Sequence, residues 1–403
     1  REPGTGNLDY VTAWYRKSAV YMQDTQIRAA FVSTNSICQG EQAVLLWKKL
    51  FSAFHTVILF ACRPFIWNNE ARGQARVHCV IIGFSCRPCD QAGSKFLFSR
   101  REVREVPHIN AYLTACPDIF AEPRRTPLQD VPPMVFGSMP NDGGHLLLSL
   151  QEAEELNSRY PELSDLIRPF LGSEEFLYGK KRYCLWLAQA DDSRWQDCEP
   201  IRSRVEAVRR FRSVSPREAT RKLADTPECF AEIRQPEEGS YLLVPRVTSE
   251  RRPYIPMAVI PGSVIAGDAV LIVPGADSGI FAVLQSAMHM EWVRTVAGRL
   301  KSDFRYSASV VYNNYPFPQK ERSEWQRAEA AAEHLLSLRN NYPELTPARL
   351  YAEEDMPPEY REAHRELDAA VDDLYGYTGE TDRISFLFGL FAGLTRNTEK
   401  KDS

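Results

Sequence analysis

Residues 298–318, GRLKSDFRYSASVVYNNYPFP, restrict the fold more than any other stretch, because a dense polar and basic segment passes into apolar residues and then into a proline-locked exit. Lys301, Asp303 and Arg305 are spaced by two, so in an extended chain their side chains project from one face. That face would carry an ammonium donor, a carboxylate acceptor and a guanidinium fork. Residues 307–312 continue the alternation as a strand, with Val310 and Val311 available to a core. Asn313, Asn314, Pro316 and Pro318 then end any ladder, since proline supplies no donor and restricts the residue before it. The polar end is expected to face solvent.

A chain of 403 residues has room for two or three domains with separate cores, and a net charge of -4 excludes a uniformly basic coat. A polyanion contact must therefore be a local patch. Residues 201–222 supply one, with seven arginines and one lysine against two glutamates. Val205, Val208 and Phe211 form its inward stripe, and Arg209, Arg210 and Arg212 are expected to meet phosphates. The plainer alternative is a solvated helical face. No apolar run is long enough to cross a membrane, so no membrane partner is expected. Nine cysteines without regular spacing point to reduced thiols and a cytoplasmic setting. Cys86 and Cys89 form a C-x-x-C string near His78 and Cys79, but the second ligand pair of a zinc site does not follow, and no metal is expected.

Along the first hundred residues, helix and strand alternate. Asn7 or Asp9 is placed to cap a helix through residues 10–22, with Val11, Trp14, Tyr15 and Ala19 on one side. IRAAFVSTNSI reads as a buried strand, and residues 39–54 resume the helical period. HTVILFA and RVHCVIIGFS are two β-prone runs separated by CRPFIWNNEARGQA, which places Phe65 and Trp67 in a loop. The pattern is the second half of an open α/β sheet finishing in a hairpin.

From residue 95 to 133 the chain turns charged and proline-rich, predicting a connector. PPMVFGSMPNDGGHLLLS predicts a hairpin turning at residues 141–144. Residues 240–274 hold short β-prone runs interrupted by Ser249, Glu250, Arg251 and Arg252 as a polar tip. Residues 278–300 predict one helix with Phe281, Leu284, Met288 and Trp292 on a face, and His289 reads as a satisfied interior or rim histidine. The last 85 residues predict amphipathic helices in a packing role.

FVSTNSICQGEQ, FACRPFIWNNEARGQARVHCVIIGF, DVPPMVFGSMPNDGGHLLLS and FRYSASVVYNNYPFP resemble, nearly end to end, the C-terminal part of MmeI-like single-chain DNA adenine methyltransferases, the type IIG restriction-modification enzymes and their methylase relatives. The resemblance implies an α/β plus α+β architecture. Residues 1–100 would be the C-terminal half of a Rossmann-like methyltransferase sheet, 101–130 a connector, 131–318 a mixed β-rich target recognition domain and 319–403 a helical domain. It further implies duplex DNA as partner and S-adenosyl-L-methionine as cofactor. The family's glycine-rich cofactor loop and Asn-Pro-Pro-Phe/Tyr motif precede a helix like LDYVTAWYRKSA, and neither occurs here. The cofactor is therefore expected to be bound mainly by an upstream part, and the sequence, which opens on Arg1, reads as a piece of a longer protein. By resemblance Phe65 takes the place of the aromatic that packs on the flipped adenine, with Trp67 the other candidate. The family reads its target through a segment like residues 301–305. A Lys301 donor beside an Asp303 acceptor complements a G·C pair, and Arg305 suits a second guanine or a phosphate. Arg251 and Arg252 are further DNA-facing candidates. The alternative is a stand-alone DNA-binding specificity module without catalysis.

Overall fold

The computed structural model describes residues 6, 8–67, 77–99, 102–188, 190–319 and 321–399. Its first unit comprises α1 (Val11–Tyr21), β1 (Arg28–Thr34), α2 (Gly40–Phe54), β2 (Val57–Trp67), β3 (Val77–Ser85), β4 (Lys95–Phe98) and β5 (Val103–Val106), with strand order β1-β3-β2-β4-β5. Strands β2 and β3 form a long antiparallel hairpin running from Val57↔Ser85 to Trp67↔Val77. A register shift between Cys62 and Phe65 absorbs the irregular Arg63-Pro64 step, so the ladder continues through Phe65 and Trp67. Both residues are therefore strand residues and not loop residues. The segment expected as a connector contributes β4, parallel to β2, and β5.

Two further expectations change here. As an edge strand, β1 exposes alternate side chains, Val32 among them, where a buried run was expected. Helix α1 buries Thr12, Tyr15 and Ala19 and leaves Trp14 about half exposed. Its N-cap is Tyr10, without a side-chain bond, because the Asp9 carboxylate accepts instead from Ser36 Oγ at 2.5 Å. Asn7, the other cap candidate, lies outside the described residues.

The second unit holds β6 (Val135–Phe136), β7 (Leu147–Ser149), α3 (Leu150–Arg159), β8 (Ile167–Leu171), α4 (Ser173–Tyr178), β9 (Arg182–Leu185), α5 (Glu199–Ser213), α6 (Glu218–Lys222), β10 (Ser240–Pro245), β11 (Val247–Thr248), β12 (Ala258–Pro261), β13 (Ile265–Ala266), β14 (Val270–Pro274), α7 (Ser278–Leu284), α8 (Ala287–Val296), β15 (Gly298–Leu300) and β16 (Asp303–Arg305). These strands make three small sheets, β12-β10-β14-β6, β13-β8-β9-β7 and β11-β16-β15. The hairpin expected over residues 132–149 does not form, since β6 and β7 join different sheets. Its turn chemistry is present: Asn141, Gly143 and Gly144 have positive φ, and the Asp142 carboxylate accepts the amides of Gly144 and Leu146. The single helix expected after residue 278 breaks, with Ser286 capping α8 through the His289 amide. The strand expected at residues 307–312 is a π-helical turn, Ala308–Tyr312, capped by Ser307 and held by Trp292 Nε1 on the Val311 carbonyl at 3.0 Å.

Helices α9 (Gln326–Arg339), α10 (Pro347–Leu350), α11 (Pro358–Tyr375) and α12 (Arg383–Glu399) complete the chain. They pack as expected, into a core shared with the second unit: Leu335, Leu367, Val371 and Leu387 are buried in one cluster with Val296 and Tyr312. Phe388 and Phe391 of α12 each lie 5.5 Å from the Trp292 ring. Among the described residues no helix is long and apolar enough to cross a membrane.

Candidate nucleic-acid interface

Strands β15 and β16 are three residues each, joined by Lys301 and Ser302 and closed at Leu300↔Asp303. Lys301 has φ +57°, a left-handed turn conformation. It therefore stands at the hairpin tip and does not share a strand face with Asp303 and Arg305, as the spacing had predicted. Asp303 and Arg305 do share a face, because Phe304 between them is buried. Opposite Phe304 in the ladder stands Arg299, whose guanidinium lies 4.0 Å from the Phe304 ring centroid. The hairpin thus has an aromatic-guanidinium underside and an outer face formed by Leu300, Asp303 and Arg305.

Arg299 is 12% exposed and bonds in three directions. Its Nε donates to Gln39 Oε1 at 3.2 Å, and its Nη1 donates to Glu250 Oε2 at 3.3 Å and to the Ser302 carbonyl at 2.9 Å. Burial pushes its pKa down to about 10, against the opposing pull of Glu250. Gln39 also donates to the Arg294 carbonyl at 3.2 Å. Beside it Gly40 has φ +56°, and a Cβ there would lie 3.0 Å from Gly298 Cα, so the two units meet backbone to backbone. Glu250 continues to His78 Nε2 at 3.4 Å. His78 pairs with Ile66, between the Phe65↔Cys79 and Trp67↔Val77 pairs. The Phe65 and Trp67 rings are 6.3 Å apart, and Trp67 is 50% exposed.

The arginine-rich segment divides. Arg209 and Arg210 are exposed on α5, Arg210 with Glu206 at 4.0 Å. Arg212 is fully buried and donates to the carbonyls of Pro140, Asn141, Leu223, Thr226 and Cys229 at 2.7–3.1 Å. It anchors two loops and does not face a phosphate. Burial lowers its pKa, with Asp142 opposing. The inward stripe is Val205, Val208 and Arg212, spaced as i, i+3 and i+7, so Phe211 turns outward and its ring covers Gly143. Arg252 is corrected likewise: it is buried, with Nη1 on Thr248 Oγ1 at 3.0 Å and Nε on the Ala348 carbonyl at 3.4 Å. Arg251 beside it is exposed.

One group escaped the sequence reading. The Tyr306 amide donates to the Arg246 carbonyl at 2.8 Å, which places Arg246 next to the end of β16. The Arg246 guanidinium lies 4.7 Å from the half-exposed Phe136 ring, with Arg234 on the same ring at 5.8 Å. A lone arginine between Pro245 and Val247 was the available signal. His289 is the satisfied interior residue expected, with Nδ1 at 2.8 Å from the Leu284 carbonyl and Nε2 at 2.9 Å from Tyr306 Oη. Burial pushes its pKa down to about 3. Cys86 is buried with its thiol on the Ala19 carbonyl and Cys89 is exposed. Among the described residues no cluster of His, Cys, Asp and Glu could hold a metal.

The chain matches three family models in succession: MmeI, DNA-methyltransferase domain, over residues 1–99; MmeI, target recognition domain, over 115–319; and MmeI, C-terminal domain, over 320–399. It is 38% identical over 391 residues to DNA methyltransferase A of Bacillus subtilis (strain 168), covering 96% of this chain and 44% of that protein. It superposes with a TM-score of 0.86 and 40% identity on the solved structure of the Type IIL restriction-modification enzyme MmeI in complex with DNA, over 98% of this chain and 53% of that one. The chain thus spans about half the length of the relatives it matches.

Proposed function

The chain belongs to the MmeI family, and on that premise we propose that it forms the target-recognition and target-base-binding part of a site-specific DNA adenine-N6 methyltransferase of the type IIG kind. The observation that carries the reading is the β15–β16 hairpin, which buries Phe304 and covers most of Arg299 underneath and leaves Lys301 at its tip and Asp303 and Arg305 on its outer face. The tip of this hairpin, where β15 and β16 run past the end of β11, is a two-stranded ribbon of the kind that fits a major groove, roughly 12 Å wide. Lys301, from the hairpin tip, can donate to guanine N7 and O6, and Asp303, from the first position of β16, can accept from the cytosine amino group. An A·T pair would set the carboxylate against a thymine acceptor, a mismatch of about 1–3 kcal/mol. Arg305 takes a second guanine or a phosphate. Arg251, Arg209 and Arg210 add phosphate contacts, which position the duplex without reading it. Arg212 and Arg252, committed to protein acceptors, have no such role.

Phe65 or Trp67 would pack on the extruded adenine. The methyl donor in this reading is S-adenosyl-L-methionine, but the described residues do not form its cradle. Among the described residues of the first unit the positive-φ glycine is Gly40, and it is packed on Gly298. No step of the reaction is therefore assigned to groups of this chain beyond holding DNA and the target base. The setting is the bacterial cytoplasm.

The test is Lys301→Glu with Asp303→Arg in the full-length protein, followed by methylome sequencing. The base accepted at one position should change from G toward C. An unchanged motif at normal activity would remove both residues from the recognition site.

A further inference from the structure

We propose that Arg299 is a positioning residue that holds the β15–β16 hairpin in a set relation to the β2–β3 hairpin, and so governs the accuracy of target choice without touching DNA, a role that presupposes the DNA-methylating reading above. A duplex whose adenine is extruded toward Phe65 or Trp67 while a neighbouring base pair is read by Asp303 is held at two points at once. The register between those points decides which base pair meets the hairpin when the adenine is seated. Hairpins of this size do not fix themselves: two three-residue strands are marginal alone and need outside support.

β16 is laddered to the short β11, and the remaining support converges on one side chain. The Arg299 fork reaches the hairpin's own turn at the Ser302 carbonyl, the start of α2 at Gln39, and the turn after β11 at Glu250. Gln39 returns a bond to the Arg294 carbonyl, so the chain between α8 and β15 is gripped on both sides of Gly298. From Glu250 the contacts pass to His78 Nε2 at 3.4 Å, on the rung between Phe65 and Trp67. The line Ser302–Arg299–Glu250–His78 thus joins the tip of one hairpin to the aromatic end of the other. Gly40 against Gly298 sets the spacing, with no room for a side chain at Gly40. An arginine serving only as a surface ion pair would not be largely covered by the hairpin and shared among carbonyl, amide and carboxylate.

Two variants of the full-length protein test this. Arg299→Lys keeps the charge but lacks the planar fork that reaches Gln39 and Glu250 together. Gln39→Met removes both amide bonds and leaves the Arg299–Glu250 pair, so it carries the comparison should Arg299→Lys fail to fold. Three quantities are read: DNA affinity, single-turnover methylation of the cognate site against single-mismatch sites, and amide hydrogen exchange at residues 298–305 and 77–79. The expected result is affinity within about threefold of wild type, a cognate rate lowered about tenfold to a hundredfold, and a smaller cognate-to-mismatch ratio. Exchange should rise at both hairpins together. An unchanged ratio, with exchange raised at residues 298–305 alone, would overturn the proposal and leave Arg299 a local stabiliser. A wild-type protein that does not methylate DNA would refute the functional reading instead, while coupled exchange would still test the link between the hairpins.

Discussion

Replacing Arg212 by alanine should destabilise the small sheet of β7, β8, β9 and β13 with α5 and leave any phosphate contact untouched. The side chain is fully buried and donates to five carbonyl oxygens, two in the loop at residues 140–141 and three at residues 223–229. A buried acceptor stripped of its donor costs about 1–3 kcal/mol, and water entering the vacated space restores some of the five. A loss of about 3–5 kcal/mol follows, the size expected when one partner of a buried charged network is removed. Against a typical stability of about 5–15 kcal/mol, that exposes the layer measurably at ambient temperature. Arg212→Lys keeps the charge but has three donors for five acceptors, and should fall between the two. The assay is urea-dependent thiol labelling of Cys184 and Cys198, which are buried in the same core as Val205 and Val208. Arg209→Ala and Arg210→Ala serve as controls: each should change stability by less than about 0.5 kcal/mol. Each should also lower the salt dependence of DNA binding by about 0.9 per lost phosphate contact. If folded Arg212→Ala lost as much DNA affinity as these controls, or matched wild-type stability within about 1 kcal/mol, the assignment of Arg212 as a loop anchor would be wrong.

Gly40→Ala must place a Cβ 3.0 Å from Gly298 Cα at φ +56°, so it should destabilise by about 2 kcal/mol or more, whereas Gly298→Ala meets Gly40 Cα only at 4.0 Å and should be milder; equal losses in denaturation would refute both the close contact and the conformational cost at Gly40. Burial raises the Asp368 carboxyl to about 6, partly opposed by the bond from Tyr254 Oη at 2.6 Å and that from the Ala287 amide at 2.6 Å. The folded chain therefore holds this proton more tightly than the unfolded chain, and the stability it contributes is complete below about pH 4 and lost as pH rises through about 6. Asp368→Asn should flatten that window by about 2–3 kcal/mol, and an identical dependence of Tm on pH in both proteins would refute it.

Much of the architecture was legible in the chain itself. The β-prone residue types of HTVILFA and RVHCVIIGFS specify two strands, and residues 39–54 carry the helical period, because residue type and spacing are local properties of the chain. The polar composition of residues 301–305 points to solvent, and Lys301 and Arg305 are exposed, but of the polar run at residues 249–252 only Arg251 is exposed. The resemblance of several strings to one family was likewise on the surface of the sequence. What spacing could not encode was the long-range partner of each group. Arg209 and Arg212 look alike in the chain, yet one lies in water and the other satisfies carbonyls from two loops, because acceptors some 70 residues earlier fold back over α5. Lys301 was placed with Asp303 by a period of two, but a left-handed turn interposed between β15 and β16 separates them. The strands β6 and β7 look like one hairpin and join different sheets, since strand pairing is settled by what packs on each face and not by the turn between them. Gln39 and Arg299 are 260 residues apart, and only the tertiary fold, by pressing Gly40 against Gly298, brings the amide within reach of the guanidinium.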